Sequence, residues 1–145
     1  MRCLIIIKGN KDSEAGVLPD EKFIGEMMKY NEELVKAGVM LAAEGLQPSS
    51  KGVKIKFSPG KVTVVDGPFT EAKELIAGFW IWQVRSIEEA IEWVKRCPKP
   101  DNSNVEEGEI EIRPIFEPAD FGARLTPELR EKEEQLRAEV EKQNK

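Results

Sequence analysis

A chain of 145 residues, 40% hydrophobic and 34% charged, has the size and composition of one ordinary globular domain with a real core. Its net charge of −5 speaks against a nucleic-acid partner, because phosphate binding needs a basic surface. No apolar run approaches the roughly 20 residues that span a bilayer, so no membrane partner is expected and a cytoplasmic location is.

Residues 2–8 read as a strand. The continuous run Cys3-Leu4-Ile5-Ile6-Ile7 predicts cover on both faces. With one early charge and no small-residue cleavage site, the run reads as a strand and not a signal peptide. Residues 9–16 read as a polar loop. Residues 19–37 read as a helix, with Pro19 in its first turn and Phe23, Ile24, Met27, Met28, Asn31, Leu34 and Val35 along one stripe. Gly38 stands where a left-handed C-terminal residue is expected.

A second short strand covers 39–44 and runs into the turn Glu44-Gly45-Leu46-Gln47-Pro48. Val53, Ile55 and Phe57 then alternate with Lys54 and Lys56, the pattern of a strand with a charged outer face. Ser58-Pro59-Gly60 turns the chain, and 61–65 returns as the hairpin partner. Asp66 and a loop rich in ionisable groups follow, with a helical turn expected over 70–76. Residues 77–84 form the next strand, Phe79 and Ile81 facing one way and Trp80, Trp82 and Val84 the other.

Ser86-Ile87-Glu88-Glu89 reads as a capping box, with Ser86 as N-cap and Glu89 at N3. Ile87, Ala90, Ile91, Val94 and Cys97 hold a helical stripe to Pro98. Residues 98–108 read as a polar connection, and 109–115 alternate as a last strand. Thr126 and Pro127 open a final helix whose apolar stripe is thin: Leu129, Leu136 and Val140.

The order is β-α-β, an inserted hairpin, then β-α-β and a C-terminal helix. It predicts an α+β, ferredoxin-like protomer: an antiparallel sheet with both helices on one face. Residues 1–122 form the domain, and 123–145 its helical extension. The other sheet face is then bare, with Trp80, Trp82 or Phe79 on it, and a homodimer stacking two sheets face to face would cover it.

Val65-Asp66-Gly67-Pro68-Phe69-Thr70-Glu71-Ala72-Lys73-Glu74, Gly78-Phe79, and the run from Ser86 to Cys97-Pro98 resemble the DGPF-motif branch of the YCII-related family. So do Glu44-Gly45-Leu46-Gln47-Pro48, Ile112-Arg113-Pro114-Ile115 and the segment from Asp120 to Leu129. The resemblance implies a dimeric α+β barrel built from ferredoxin-like protomers. The wider family includes a dehydrochlorinase for which a His–Asp pair was proposed. This chain has no histidine and carries Cys97-Pro98 where the wider group tends to have Asp-Pro, so that mechanism is not carried over. Genes of the branch often lie near extracytoplasmic-function sigma factors, which implies a regulatory setting.

The absence of histidine removes the commonest general base and metal ligand. Cys3 and Cys97 are too few for a metal site and read as buried thiols. Asp66 and Glu71 are the candidate acid/base groups. Glu44, Lys73, Arg113, Phe69, Phe79 and Trp82 are the candidate ligand-binding residues. Three of them have a structural alternative: Asp66 capping its own turn, Lys73 in a surface ion pair, Arg113 paired with Glu109 or Glu111. No cofactor and no metal is called for.

Two functions remain open on these grounds. One is a dimer binding a small, partly apolar, anionic molecule beside the Asp66 loop, with lyase- or hydrolase-like proton transfer. The other is a non-catalytic accessory or regulatory protein acting on a protein partner.

Overall fold

A computed structural model describes residues 1–99 and 108–144. The expected connection over 98–108 falls mostly on residues 100–107, outside the described ones. The chain divides into two compact units, Met1–Pro114 and Ile115–Lys145.

In the first unit the strands β1 (Arg2–Lys8), β2 (Met40–Gly45), β5 (Ile76–Gln83) and β6 (Ile110–Pro114) form one sheet in the order β2-β5-β1-β6. The pairs β1–β5, β1–β6 and β2–β5 are all antiparallel. This is the ferredoxin-like arrangement. Helix α2 (Glu21–Lys36) carries the chain from β1 past β5 to β2, and α3 (Ile87–Lys95) follows β5 on the way past β1 to β6. A second sheet is the hairpin of β3 (Val53–Ser58) and β4 (Lys61–Asp66), inserted between β2 and β5.

The pleat sorts the sheet residues into two faces. Cys3, Ile5, Trp80 and Trp82 point to the helices and form the core with Tyr30, Leu34, Val39, Val84 and Ala90. Ile5 and Leu34 are completely buried, which stabilises the fold by about 2 kcal/mol apiece. Leu4, Ile6, Phe79 and Ile81 lie on the opposite face and are half-buried. The expectation that placed Trp80 or Trp82 on the bare face is therefore corrected. Both sit under the helices, where the indole of Trp80 donates to Asn31 at 3.0 Å and meets the Tyr30 ring edge-on.

The helices begin where side chains satisfy their first amides. Helix α2 starts after Pro19, not at it: Asp20 is the N-cap, accepting the Phe23 N–H at 2.8 Å. It ends at Ala37, and Gly38 follows with φ +71°, as a left-handed terminus requires. The expected loop 9–16 instead contains a short helix, α1 (Lys11–Glu14), because Asn10 and Ser13 cap each other reciprocally. At α3, Ser86 accepts the Glu89 N–H at 3.2 Å. The reciprocal half of the box is diverted: the Glu89 carboxylate takes the Arg85 guanidinium at 3.0 Å and the Arg85 N–H at 3.3 Å.

The hairpin corrects a second expectation. Val53, Ile55 and Phe57, with Val62 and Val64 beside them, form its outward face and are each between 54 and 81% exposed. The partly covered face is the lysine face, with Lys54 opposite Val65 and Lys56 opposite Thr63.

The second unit contains two 3-10 turns over Pro118–Arg124 that meet at a kink at Gly122, with the ring centroids of Phe116 and Phe121 5.1 Å apart, and helix α4 (Pro127–Gln143). Thr126 caps α4 by accepting the Leu129 N–H at 3.2 Å. Leu129, Leu136 and Val140 are about half exposed.

Candidate functional site

The loop after β4 is built around a joint that its own letters do not reveal. Gly67 donates its N–H to the Gly52 carbonyl at 2.9 Å. A Cβ on Gly67 would stand 1.7 Å from the Ser49 carbonyl oxygen, so only glycine fits there. Phe69 donates its N–H to the Ser49 hydroxyl at 2.9 Å. Ser49 in turn gives its own N–H to Glu14 at 2.8 Å and its hydroxyl hydrogen to the other oxygen of that carboxylate. Glu14 on α1, Ser49 before β3 and Phe69 after β4 thus form one chain of hydrogen bonds at the root of the hairpin. Leu75 and Gly9 close the same end, the Gly9 N–H meeting the Leu75 carbonyl at 2.9 Å.

Phe69 is half-buried, and the Lys54 ammonium lies 4.6 Å from its ring centroid. The same ammonium is 2.7 Å from Glu74, holding that carboxyl below the usual range. This pair explains why the lysine face of the hairpin is the inner one.

The candidates do not converge. Asp66 ends β4 opposite Val53, exposed at the end of the apolar outer face. Its carboxylate makes no hydrogen bond or ion pair among the described residues, with its own turn or otherwise. Glu71 and Lys73 pair with each other at 3.2 Å on an exposed 3-10 turn. Glu44 is exposed on the edge strand β2, opposite Phe79 and without a partner among the described residues.

Arg113 stands on the other edge of the sheet, three strands and therefore about 14 Å from Glu44. It pairs with Glu111 at 3.1 Å, and Lys8 meets the other oxygen of Glu111 at 3.0 Å. Hydrogen bonds from Lys8 and Arg113 hold the Glu111 carboxyl low. Phe79 lies on the face away from the helices, while Trp82 is fully buried beneath them, its indole N–H without a partner among the described residues.

Burial pushes the Cys97 thiol up to about 11 and raises Cys3 as well, so neither is a thiolate at neutral pH. Tyr30 donates its hydroxyl hydrogen to the Trp93 carbonyl at 2.5 Å, and burial pushes its phenol well above the ordinary value. Among the described residues the carboxyls that shift are Glu74 and Glu111, and both shift downward, the direction that keeps them ionised. No group of three acidic or thiol side chains among the described residues is placed to hold a metal ion. Two open depressions, one along Glu21, Gly25 and Lys29 of α2 and one around Arg85, Trp93 and Arg96, include none of the candidate residues.

Sequence reasoning missed Glu14 and Ser49. Neither carries a local signal, because their partners are 35 and 20 residues away.

Among known proteins, the model of the YCII-related domain matches residues 1–118. An uncharacterized protein of Rhizobium meliloti (strain 1021), R00369, is 29% identical over 96 residues, which are 66% of this chain and 75% of that protein. No helix among the described residues is long and apolar enough to cross a membrane.

Proposed function

The chain belongs to the YCII-related domain family, and on that premise we propose that it acts through contacts with proteins, as a small cytoplasmic homodimer with an accessory or regulatory role, and not as a catalyst. The observation that carries this reading is the outward face of the β3–β4 hairpin. Five large apolar side chains are turned to solvent on a ribbon of two strands, a surface that soluble proteins normally keep for a partner. Four residues of the loop support the same reading. Gly67 and Phe69 hold the hairpin to Ser49, and Glu71 and Lys73 neutralise each other. The dimer accounts for the second apolar surface, Leu4, Ile6, Phe79 and Ile81 on the sheet. A partner from a sigma-factor regulatory system is the class that the resemblance implies.

Two measurements test this. Native mass spectrometry of the full chain at low micromolar concentration is expected to give a dimer; a monomer would remove the homodimer. Affinity capture from the source extract, with wild type and with the Ile55→Ser/Phe57→Ser variant as bait, is expected to recover a protein with the first and lose it with the second. Identical recovery with both would overturn the hairpin as the contact surface.

A second reading keeps one specific support. Asp66 and Glu44 are carboxylates uncommitted among the described residues, as groups that grip a small molecule would be. Under that reading the dimer mass carries an extra few hundred daltons as purified, and Asp66→Ala abolishes the increment. Without such an increment the small-molecule reading loses its tight-binding form.

A further inference from the structure

The β3–β4 hairpin has a free edge with a pattern of its own. The Gly67 N–H meets the Gly52 carbonyl at 2.9 Å, which makes Gly52 and Gly67 a hydrogen-bonded pair. Hydrogen-bonded and non-hydrogen-bonded pairs alternate along an antiparallel ladder. In the register that follows, Lys54 with Val65 and Lys56 with Thr63 are therefore hydrogen-bonded pairs as well. Val53, Ile55 and Phe57 fall on the alternate positions, so their N–H and C=O groups point away from β4. Among the described residues no other strand pairs with β3. These three residues offer an unused row of donors and acceptors, and their side chains stand on the exposed apolar face.

The charge beside this edge has one sign. From residue 45 to 65 the chain carries four lysines, Lys51, Lys54, Lys56 and Lys61, and no acidic residue, in a protein of net charge −5. Lys54 is committed to Glu74. Lys56 is exposed and has no ion pair among the described residues. Like charges directly opposite on neighbouring strands oppose pairing, and lysines on an edge keep identical edges apart. Two β3 edges joined in antiparallel fashion about Ile55 would set Lys54 against Lys56. The edge therefore rejects a second copy of itself. It accepts a strand that places carboxylates beside the lysines and apolar side chains beside Val53, Ile55 and Phe57.

We propose that β3 is a docking edge for an extended segment of another protein in which acidic and apolar residues alternate, added to the hairpin as a third strand. The backbone of that segment pairs with the outward groups of Val53, Ile55 and Phe57. Its apolar residues widen the exposed apolar face, and a carboxylate on its other face pairs with Lys56. The inference rests on the protein-contact reading above and names the chemistry of the partner.

The probe that tests it is a capped synthetic peptide alternating valine and glutamate, offered to the full chain beside a valine–lysine peptide of the same pattern. Amide hydrogen exchange, read residue by residue, reports where each peptide sits. The valine–glutamate peptide is expected to bind with a Kd below about 1 mM and to slow exchange at Val53, Ile55 and Phe57, with Val62 and Val64 unchanged. Lys56→Glu is expected to weaken that peptide about fivefold or more and to admit the valine–lysine peptide. Unchanged exchange in β1 and β5 shows that the variant is folded. No slowing along β3, slowing at Val62 and Val64 instead, or equal affinity of wild type and Lys56→Glu would overturn the proposal. So would hairpin-dependent binding to phosphatidylserine vesicles without any response to the peptide, which assigns the surface to anionic lipid. The capture experiment above decides the protein-contact reading separately. Recovery that depends on Ile55 and Phe57 keeps the hairpin as a protein contact even where the peptide fails, and identical recovery removes that reading and this inference with it.

Discussion

The hydroxyl of Ser49 accepts the backbone N–H of Phe69 at 2.9 Å while passing its own hydrogen to Glu14. One side chain thereby ties the end of the hairpin to the segment that precedes it and to the helix after β1. Removing it with Ser49→Ala leaves a half-buried amide and a carboxylate without their partner. The expected cost is about 1–3 kcal/mol, felt first at the hairpin. Hydrogen exchange should show faster exchange at Phe69 and across β3 and β4, with β1 and β5 little changed. Uniform exchange over all strands would contradict a local joint.

Gly67 and Asp66 are neighbours with opposite expectations. A Cβ at Gly67 has no room beside the Ser49 carbonyl, so Gly67→Ala should destabilise by about 2 kcal/mol or more in chemical denaturation. Asp66→Asn, at an exposed carboxylate without contacts among the described residues, should stay within about 0.5 kcal/mol of wild type. Equal effects would mean that the loop depends on the carboxylate and not on close approach of the backbone.

Phe57 tests the inverted hairpin. At 81% exposure it contributes little to its own protomer, so Phe57→Ser should leave the melting free energy within about 0.5 kcal/mol. Binding of an apolar dye to the folded protein should fall. A large loss of stability in the isolated protomer would place Phe57 in a core.

Acid and alkali should act at different places. Glu74 and Glu111 have lowered values when folded, held by Lys54 and by Lys8 with Arg113. Their stabilisation is complete above the ordinary carboxylate range and is lost as pH falls through the lower folded values. Lys54→Met should remove the Glu74 share of that acid sensitivity. Cys97 is the reverse case: burial raises its thiol to about 11, so its share is complete below the ordinary thiol value and is lost as pH rises towards 11. Thiol reagents at pH 8 should modify Cys97 slowly in the folded protein and quickly in denaturant. Rapid labelling of the folded protein would contradict its burial.

Much of this architecture was legible because it is written locally. The run Cys3 to Ile7, the stripe ending at Leu34 and the cap at Ser86 each carry their own evidence within a dozen residues, and the order of elements then gives the ferredoxin-like sheet. The hairpin was misread for a definite reason. Alternation of Val53, Ile55 and Phe57 with lysines separates two faces but does not say which is covered. That choice is made by Glu74 and Phe69, which meet Lys54 only in the folded chain. The same limit applies to β5, where the pattern put the two tryptophans together and the packing of Tyr30, Leu34 and Ala90 decided their side. The candidate site was the least legible part. Its letters describe residue types that can do chemistry, whereas ion pairing and close approach decide whether they are free to.

All of the light-absorbing indoles and the one phenol, Trp80, Trp82, Trp93 and Tyr30, belong to β5, α3 and α2, on or beside the helix-covered core. The hairpin and the C-terminal unit contain none. Intrinsic fluorescence is therefore a reporter with a fixed field of view. It registers loss of the sheet–helix core and has no fluorophore of its own on the hairpin or on α4. A thermal curve read by emission and one read by backbone ellipticity follow different parts of the molecule, and their separation in temperature measures how far the ribbon and the last helix melt ahead of the core.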